Sequence, residues 1–270
     1  MSVSFRGVVD ASELVRPTRA AVRVLCVPGL DGDPRLLLVA VPRLLPGMRV
    51  ILFDHSQDRA EAGVDGLAER ALALLDADVE ADAPAYVCGE SFGGIVALTL
   101  AHRHPERVRG LILLSTFGYH PAASSRSGRL GLLLWRALGD RVARQLLRAW
   151  RPVSLPGMVG FRVRSSREVL RAYLQQPELD LAAYRAKSEL ALRFDARAWL
   201  PELTCPAFVL IGTWDPVVPT RAGRDLARMM PRAELHCLPG GHLVHIVRAA
   251  EAGERIARWV TSAPRGAGAI

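Results

Sequence analysis

Short runs of apolar and β-branched residues alternate along the chain with longer stretches whose apolar positions recur every three or four residues. That is the rhythm of strand–helix–strand units around a parallel sheet. Val22 to Val27, Arg49 to Phe53, Ala85 to Cys88, Gly110 to Leu114, Ala207 to Ile211 and Glu234 to Leu238 read as strands, and Val3 to Val9 as a further edge strand. Asp65 to Leu75, Gly93 to His102, Thr220 to Met229 and Val244 to Val260 read as helices. The expected fold class is α/β, a mostly parallel central sheet flanked by helices. The alternation lapses once. From about Gly118 to Leu200 there is no strand pattern, only arginine-rich helical segments such as Arg129 to Trp150, punctuated by Pro152, Pro156 and Pro177. Residues 118–200 are therefore expected to form a helical cap inserted in a core made of residues 1–117 and 201–270.

With 270 residues, half of them hydrophobic and 23% charged, the chain can fill one sizeable core, which excludes disordered, collagen-like and coiled-coil classes. No apolar run approaches the ~20 residues of a membrane span. The first twenty residues carry Arg6, Asp10, Glu13, Arg16 and Arg19 in place of a secretory apolar stretch. No transmembrane segment and a cytoplasmic location are expected. Cys26, Cys88, Cys205 and Cys237 lie in or beside apolar runs, without CxxC spacing or clustered histidines, and read as buried reduced thiols rather than metal ligands.

The net charge of +8 is unevenly spread. Residues 118–200 hold 15 basic and 6 acidic residues, a net +9, whereas the rest of the chain carries 20 against 21. Lys187 is the only lysine in the chain; every other basic residue counted here is arginine. Zinc-finger spacing, RNA-binding aromatic motifs and basic-zipper patterns are all missing, so nucleic acid is not an expected partner.

The sharpest local motif is Gly89-Glu90-Ser91-Phe92-Gly93-Gly94, between a strand pattern and a helix pattern. A serine on a tight strand-to-helix turn needs glycines beside it, because the backbone is strained and passes close to its neighbours. The turn also puts the hydroxyl at the positive end of a helix. A seryl hydroxyl attacks only when a base takes its proton, and that base must be oriented by a carboxylate. Asp215 follows the strand Ala207 to Ile211 in Gly212-Thr213-Trp214-Asp215-Pro216, and His242 follows the last strand in Pro239-Gly240-Gly241-His242. His245 and His236 are rival bases. After the first strand, Pro28-Gly29-Leu30-Asp31-Gly32-Asp33 forms a glycine-rich loop whose Leu30 N–H, with that of Phe92, would make an oxyanion-binding pair. A carboxylate beside an oxyanion opposes it, so Asp31 is expected to point away and hold the loop through backbone hydrogen bonds.

These three loops, in the order Ser91, Asp215, His242, resemble the α/β-hydrolase fold superfamily over nearly the whole chain. Serine as nucleophile separates the chain from the dehalogenase and epoxide-hydrolase branches, which use aspartate. A narrower likeness, in Pro28 to Gly32 and Gly89 to Gly94, is to the esterase, lipase and thioesterase group that includes plant phytyl ester synthases. The chain departs from the usual pattern at Pro28, which replaces the common histidine of the oxyanion loop. It departs again at Asp54-His55-Ser56-Gln57, which replaces a glycine-containing turn. The resemblance implies cleavage of a carboxylic ester or thioester through an acyl-enzyme on Ser91, with His242 as base and Asp215 stabilising the imidazolium. It implies no metal and no organic cofactor. Two alternatives stay open: an acyltransferase using the same triad, and a hydrolase-fold protein that binds a ligand without turnover. In Arg129 to Trp150, Leu130, Leu133, Leu134, Leu138, Val142, Leu146 and Trp150 form an apolar face that could roof an acyl pocket, leaving the arginines outside. Those arginines are either a solvated face or a receiver for an anionic or carrier-linked acyl group.

Overall fold

The computed structural model describes residues 22–78, 83–120, 137–159, 169, 171, 173 and 179–262. Six strands form one sheet: β1 (Arg23–Val27), β2 (Arg49–Leu52), β3 (Ala85–Glu90), β4 (Val108–Leu114), β5 (Ala207–Gly212) and β6 (Ala233–Leu238). Their order is β2-β1-β3-β4-β5-β6, and every neighbouring pair is parallel. All six expected strands are present with ends shifted by at most two residues, and the proposed edge strand Val3 to Val9 lies outside the described residues. Strands β1, β3 and β5 are buried at every position because helices cover both faces of the sheet. Alternate residues of one strand therefore belong to different halves of the core. Leu25 and Val27 pack with Leu67, Ile95 and Leu226 on one face, and Val24 and Cys26 with Leu37, Leu44, Ile256 and Trp259 on the other.

The helices are α1 (Arg35–Leu44), α2 (Gly63–Asp76), α3 (Phe92–Arg103), α4 (Asp140–Val159), α5 (Leu181–Arg193), α6 (Thr220–Met229), α7 (Val244–Val247) and α8 (Ala249–Ser262). The periodicity reading is corrected in three places. α1 is an additional helix; it tolerates the internal Pro42 because Leu36, Leu37, Ala40, Val41 and Leu44 form one buried stripe. The stretch Val244 to Val260 is two helices, interrupted at Arg248, whose φ of −117° and ψ of 37° lie outside the helical region. A break of one residue barely disturbs a 3.6-residue period, so the pattern does not reveal it.

The third correction concerns the insertion. α4 begins at Asp140, just past Gly139, and continues through the positions of Pro152 and Pro156. The single helix expected over Arg129 to Trp150 is thus not one element, and its part before residue 137 lies outside the described residues. Glycine favours a break and an acidic residue suits a helix start. Starting afresh resets the phase: Ala143 is buried, while Val142 and Leu146 are 45% and 51% exposed beside Arg141 and Arg144. These two residues face solvent and are not among the residues lining the described cavities.

The strand order reverses between β1 and β3. After β1 the chain moves outward to β2, then returns on the other side of β1 to form β3. At such a switch point the loops leaving the two strands diverge and open a crevice at their carboxyl ends. Val27 pairs with Gly89, so the loop after β1 and the turn after β3 start side by side.

Candidate active site

Ser91 sits in that turn with φ of 51° and ψ of −116°, a left-handed conformation that costs a non-glycine residue of order 1–3 kcal/mol. The surrounding backbone holds it there. The Ser91 N–H donates to Leu114 O at 2.9 Å, and its carbonyl accepts from Gly94 N at 3.0 Å and from Thr116 Oγ1 at 2.6 Å. The glycines are needed for close approach. A Cβ at Gly93 would lie 2.1 Å from Val27 O, and one at Gly94 would lie 2.2 Å from Thr116 Oγ1. The motif therefore seats α3 directly against β1 and the segment after β4.

Asp215 and His242 come from the loops after β5 and β6, which are tied together. Thr213 N donates to Leu238 O at 3.1 Å and Trp214 N to Gly240 O at 3.1 Å, and a Cβ on Gly212 would meet Gly241 O at 2.3 Å. The Asp215 carboxylate is buried and fixed at one oxygen, Oδ1, by the N–H groups of Val217 at 2.8 Å and Val218 at 2.9 Å. Its other oxygen, Oδ2, lies 2.7 Å from Nδ1 of the buried His242. On the far side of the ring, His242 Nε2 lies 3.0 Å from Ser91 Oγ. With the Nδ1 proton directed to the carboxylate, Nε2 is left as an acceptor for the seryl proton. The structure thus brings together Ser91, Asp215 and His242, which are far apart in sequence. The Leu243 N–H donates to Met158 O at 2.7 Å, so α4 of the inserted segment packs against the histidine loop.

The rival histidines lie elsewhere. His236 stacks on Phe208 with ring centroids 4.2 Å apart. His245 is fully buried, with Nε2 3.4 Å from Oε1 of Glu90, the residue just before Ser91. Burial pushes the Glu90 carboxyl up, but the nearby His245 and His242 outweigh it and hold Glu90 below the usual carboxylate range. Nothing in the spacing singled Glu90 out, since it occupies a variable place in the motif.

The loop after β1 leans over the serine. A Cβ at Gly29 would lie 3.7 Å from Ser91 Cβ. Gly29 O accepts from Gly32 N at 3.0 Å, and the planar trans peptide turns the adjoining Leu30 N–H the opposite way. Among the described residues, no acceptor takes the N–H of Leu30 or Phe92. The Asp31 side chain accepts from the backbone N–H of Asp33. Burial, followed by the charges of Glu90 and Asp33, pushes its carboxyl up to about 7. A cavity of about 630 Å³ is lined by Asp31 and Asp33 with Arg35, Arg59, Arg144 and Asp180, and does not include Ser91. It abuts the loop rather than holding the hydroxyl. Among the described residues no His, Cys, Asp or Glu cluster is arranged for a metal, and no helix is long and apolar enough to cross a membrane. The four cysteines are free thiols, with Cys26 and Cys88 buried as partners on adjacent strands.

Comparisons with known proteins bear on the family and the fold. A family described as serine aminopeptidase, S33 (Hydrolase_4), matches residues 64–246. A poly(3-hydroxyalkanoate) depolymerase of Ectopseudomonas oleovorans is 28% identical over 87% of this chain and 83% of its own. A pimeloyl-[acyl-carrier protein] methyl ester esterase of Chromobacterium violaceum is 31% identical over 64% of this chain and 70% of its own. Among solved structures, the enol-lactonase from Burkholderia xenovorans LB400 is similar in fold, with a TM-score of 0.73, 23% identity, and coverage of 91% of this chain and 94% of that one.

Proposed function

The chain belongs to the serine aminopeptidase S33 family and is an enzyme of the α/β-hydrolase fold, and on that premise we propose that it cleaves carboxylic esters or thioesters through an acyl-enzyme on Ser91. The observation that carries the proposal is the imidazole of His242, bridging a hydroxyl at 3.0 Å and a buried carboxylate at 2.7 Å. Ser91 Oγ attacks the acyl carbon as its proton passes to Nε2; the C–O or C–S bond breaks as Nε2 returns that proton to the leaving group. Water, deprotonated by the same nitrogen, then attacks the acyl carbon; the bond to Ser91 Oγ breaks as Nε2 passes that proton to Oγ, and the acid is freed. Asp215 stabilises the imidazolium at both stages. The Leu30 and Phe92 N–H groups are proposed to receive the oxyanion, helped by the positive end of α3.

Residues 118–200 are proposed to act as the cap over this site. Their net +9 suits an anionic or carrier-linked acyl substrate, such as one bearing phosphopantetheine, and one relative is named for an ester carried on acyl carrier protein. The test is labelling by a fluorophosphonate and turnover of a panel of para-nitrophenyl esters, acyl thioesters and an aminoacyl anilide. Labelling and ester or thioester turnover, both lost in Ser91→Ala, are expected. Cleavage of the anilide with no ester or thioester turnover would replace the proposal with a peptidase.

A further inference from the structure

One basic residue differs from all the others. Lys187 lies on α5 of the inserted segment, and it is fully buried in a chain whose other basic residues are arginines. Its ammonium faces the backbone of two loops. Nζ donates to His55 O at 2.9 Å, and lies 3.4 Å from Asp31 O and 3.4 Å from His55 Nδ1. The same imidazole reaches on, its Nε2 lying 3.3 Å from Pro28 O. Burial, and then the Lys187 charge, pull the His55 pKa down to about 3, so the ring is neutral. A neutral ring that accepts at Nδ1 carries its proton on Nε2, the polarity needed to donate to Pro28 O.

The carbonyls so held are those of Pro28 and Asp31, and they flank Gly29 and Leu30. Contact from below is equally tight. His55 N donates to Gly32 O at 3.0 Å, and a Cβ at Gly32, whose φ is +75°, would lie 2.6 Å from His55 C. Arginine would not serve the same purpose, because its wide planar fork suits carboxylates, while a compact ammonium can aim three protons at acceptors converging on one point.

We propose that Lys187 is a positioning residue: from the inserted segment, directly and through His55, it holds the oxyanion loop so that the Leu30 N–H faces the acyl oxygen at Ser91. The inference rests on the proposed Ser91 hydrolase. The groups facing the ammonium are Asp31 from the loop after β1, Asp54 and His55 from the loop after β2, and Asp180 at the start of its own helix. Burial lowers the Lys187 pKa to about 8 despite the opposing pull of the three carboxylates. Deprotonation should loosen the loop at mildly alkaline pH.

The experiment compares wild type, Lys187→Met, His55→Gln and Ser91→Ala on a neutral para-nitrophenyl ester. Lys187→Met keeps the stem and removes the donors. It is expected to lower kcat about a hundredfold, the loss seen when one oxyanion donor is removed, with KM within about threefold. It should also abolish an alkaline fall in wild-type kcat near pH 8. His55→Gln should show the same split at smaller size. A Lys187→Met enzyme with kcat within twofold of wild type, or with KM rising as kcat falls, overturns the inference. Should that variant fail to fold, a wild-type kcat flat from pH 7 to 9 overturns it as well. A wild type that neither labels nor turns over sinks the proposed function and this inference together. A labelled wild type with indifferent Lys187 and His55 variants sinks this one alone.

Discussion

Replacing Asp215 with asparagine changes one atom, and the structure dictates how the new amide must sit. Oδ1 of Asp215 accepts two backbone N–H groups, from Val217 and Val218. An amide that keeps its oxygen there turns its NH2 toward His242 Nδ1, where Oδ2 now lies 2.7 Å away. The ring must then offer a lone pair at Nδ1 and carry its proton on Nε2, the nitrogen 3.0 Å from Ser91 Oγ. Nε2 would then donate to Ser91 Oγ instead of accepting its proton, and the nucleophile would have no base. Flipping the amide to rescue the tautomer would set its NH2 against the two backbone donors. At ~1–3 kcal/mol for each buried donor left unpaired, that arrangement costs at least ~2 kcal/mol and stays a minor population. In the serine-protease template the same exchange lowers kcat by ~10⁴, which corresponds to ~5.4 kcal/mol of transition-state stabilisation. The expected result for Asp215→Asn is therefore a fall in kcat of that order on a para-nitrophenyl ester. KM should be nearly unchanged, since the carboxylate is shielded behind the histidine, and fluorophosphonate labelling should slow in parallel. A loss below tenfold, or a change confined to KM, would refute the reasoning and place the orienting group elsewhere.

Gly93→Ala should destabilise the fold by ~3 kcal/mol and abolish labelling, because the new methyl meets the Val27 and Pro28 carbonyls at 2.1 and 2.5 Å and backbone cannot step aside. Gly47→Ala, at a φ of +71° in open space, should cost only about 1 kcal/mol, and equal melting temperatures for the two would contradict the packing argument. Lys187 binds its proton less tightly folded, with a pKa of about 8, than unfolded near 10.5, so its contribution to stability is fully present above pH 10.5 and is lost as pH falls through 8. Denaturant titrations from pH 7.5 to 10.5 should show wild type gaining up to ~3 kcal/mol relative to Lys187→Met; no relative gain would mean the ammonium is not buried as described. His55, depressed to about 3, should make the fold acid-sensitive below pH 6.5, with a steeper loss of melting temperature in wild type than in His55→Gln. Raising salt should raise KM for a coenzyme A thioester but not for a neutral ester if the positive segment receives the handle, and matched salt responses would remove that role.

Much of this protein is local information. The six strands are contiguous apolar runs, and a parallel sheet buried on both faces requires just such runs, so their positions were readable before any packing was known. Ser91 was readable because its strained backbone demands glycines at fixed offsets, and Asp215 and His242 because each follows a recognisable strand. What lies between β4 and β5 was less legible: Gly139 resets the helix and turns Val142 and Leu146 outward, a phase that no apolar count conveys. The sequence favoured His242 over its rival His245, and the fold sets the first ring between Ser91 and Asp215 and the second against Glu90.

The sequence by itself determined the strand inventory, the layered class and Ser91, Asp215 and His242 as candidate side chains, because each leaves a mark within a few residues of itself, whereas α1 and the helix breaks at Gly139 and Arg248 came only with the fold. Tertiary structure alone decided which carbonyls Lys187 and His55 hold and which oxygen of Asp215 is spoken for. Those contacts join segments up to 156 residues apart, and their energy depends on ångström-scale convergence of folded surfaces rather than on any spacing along the chain.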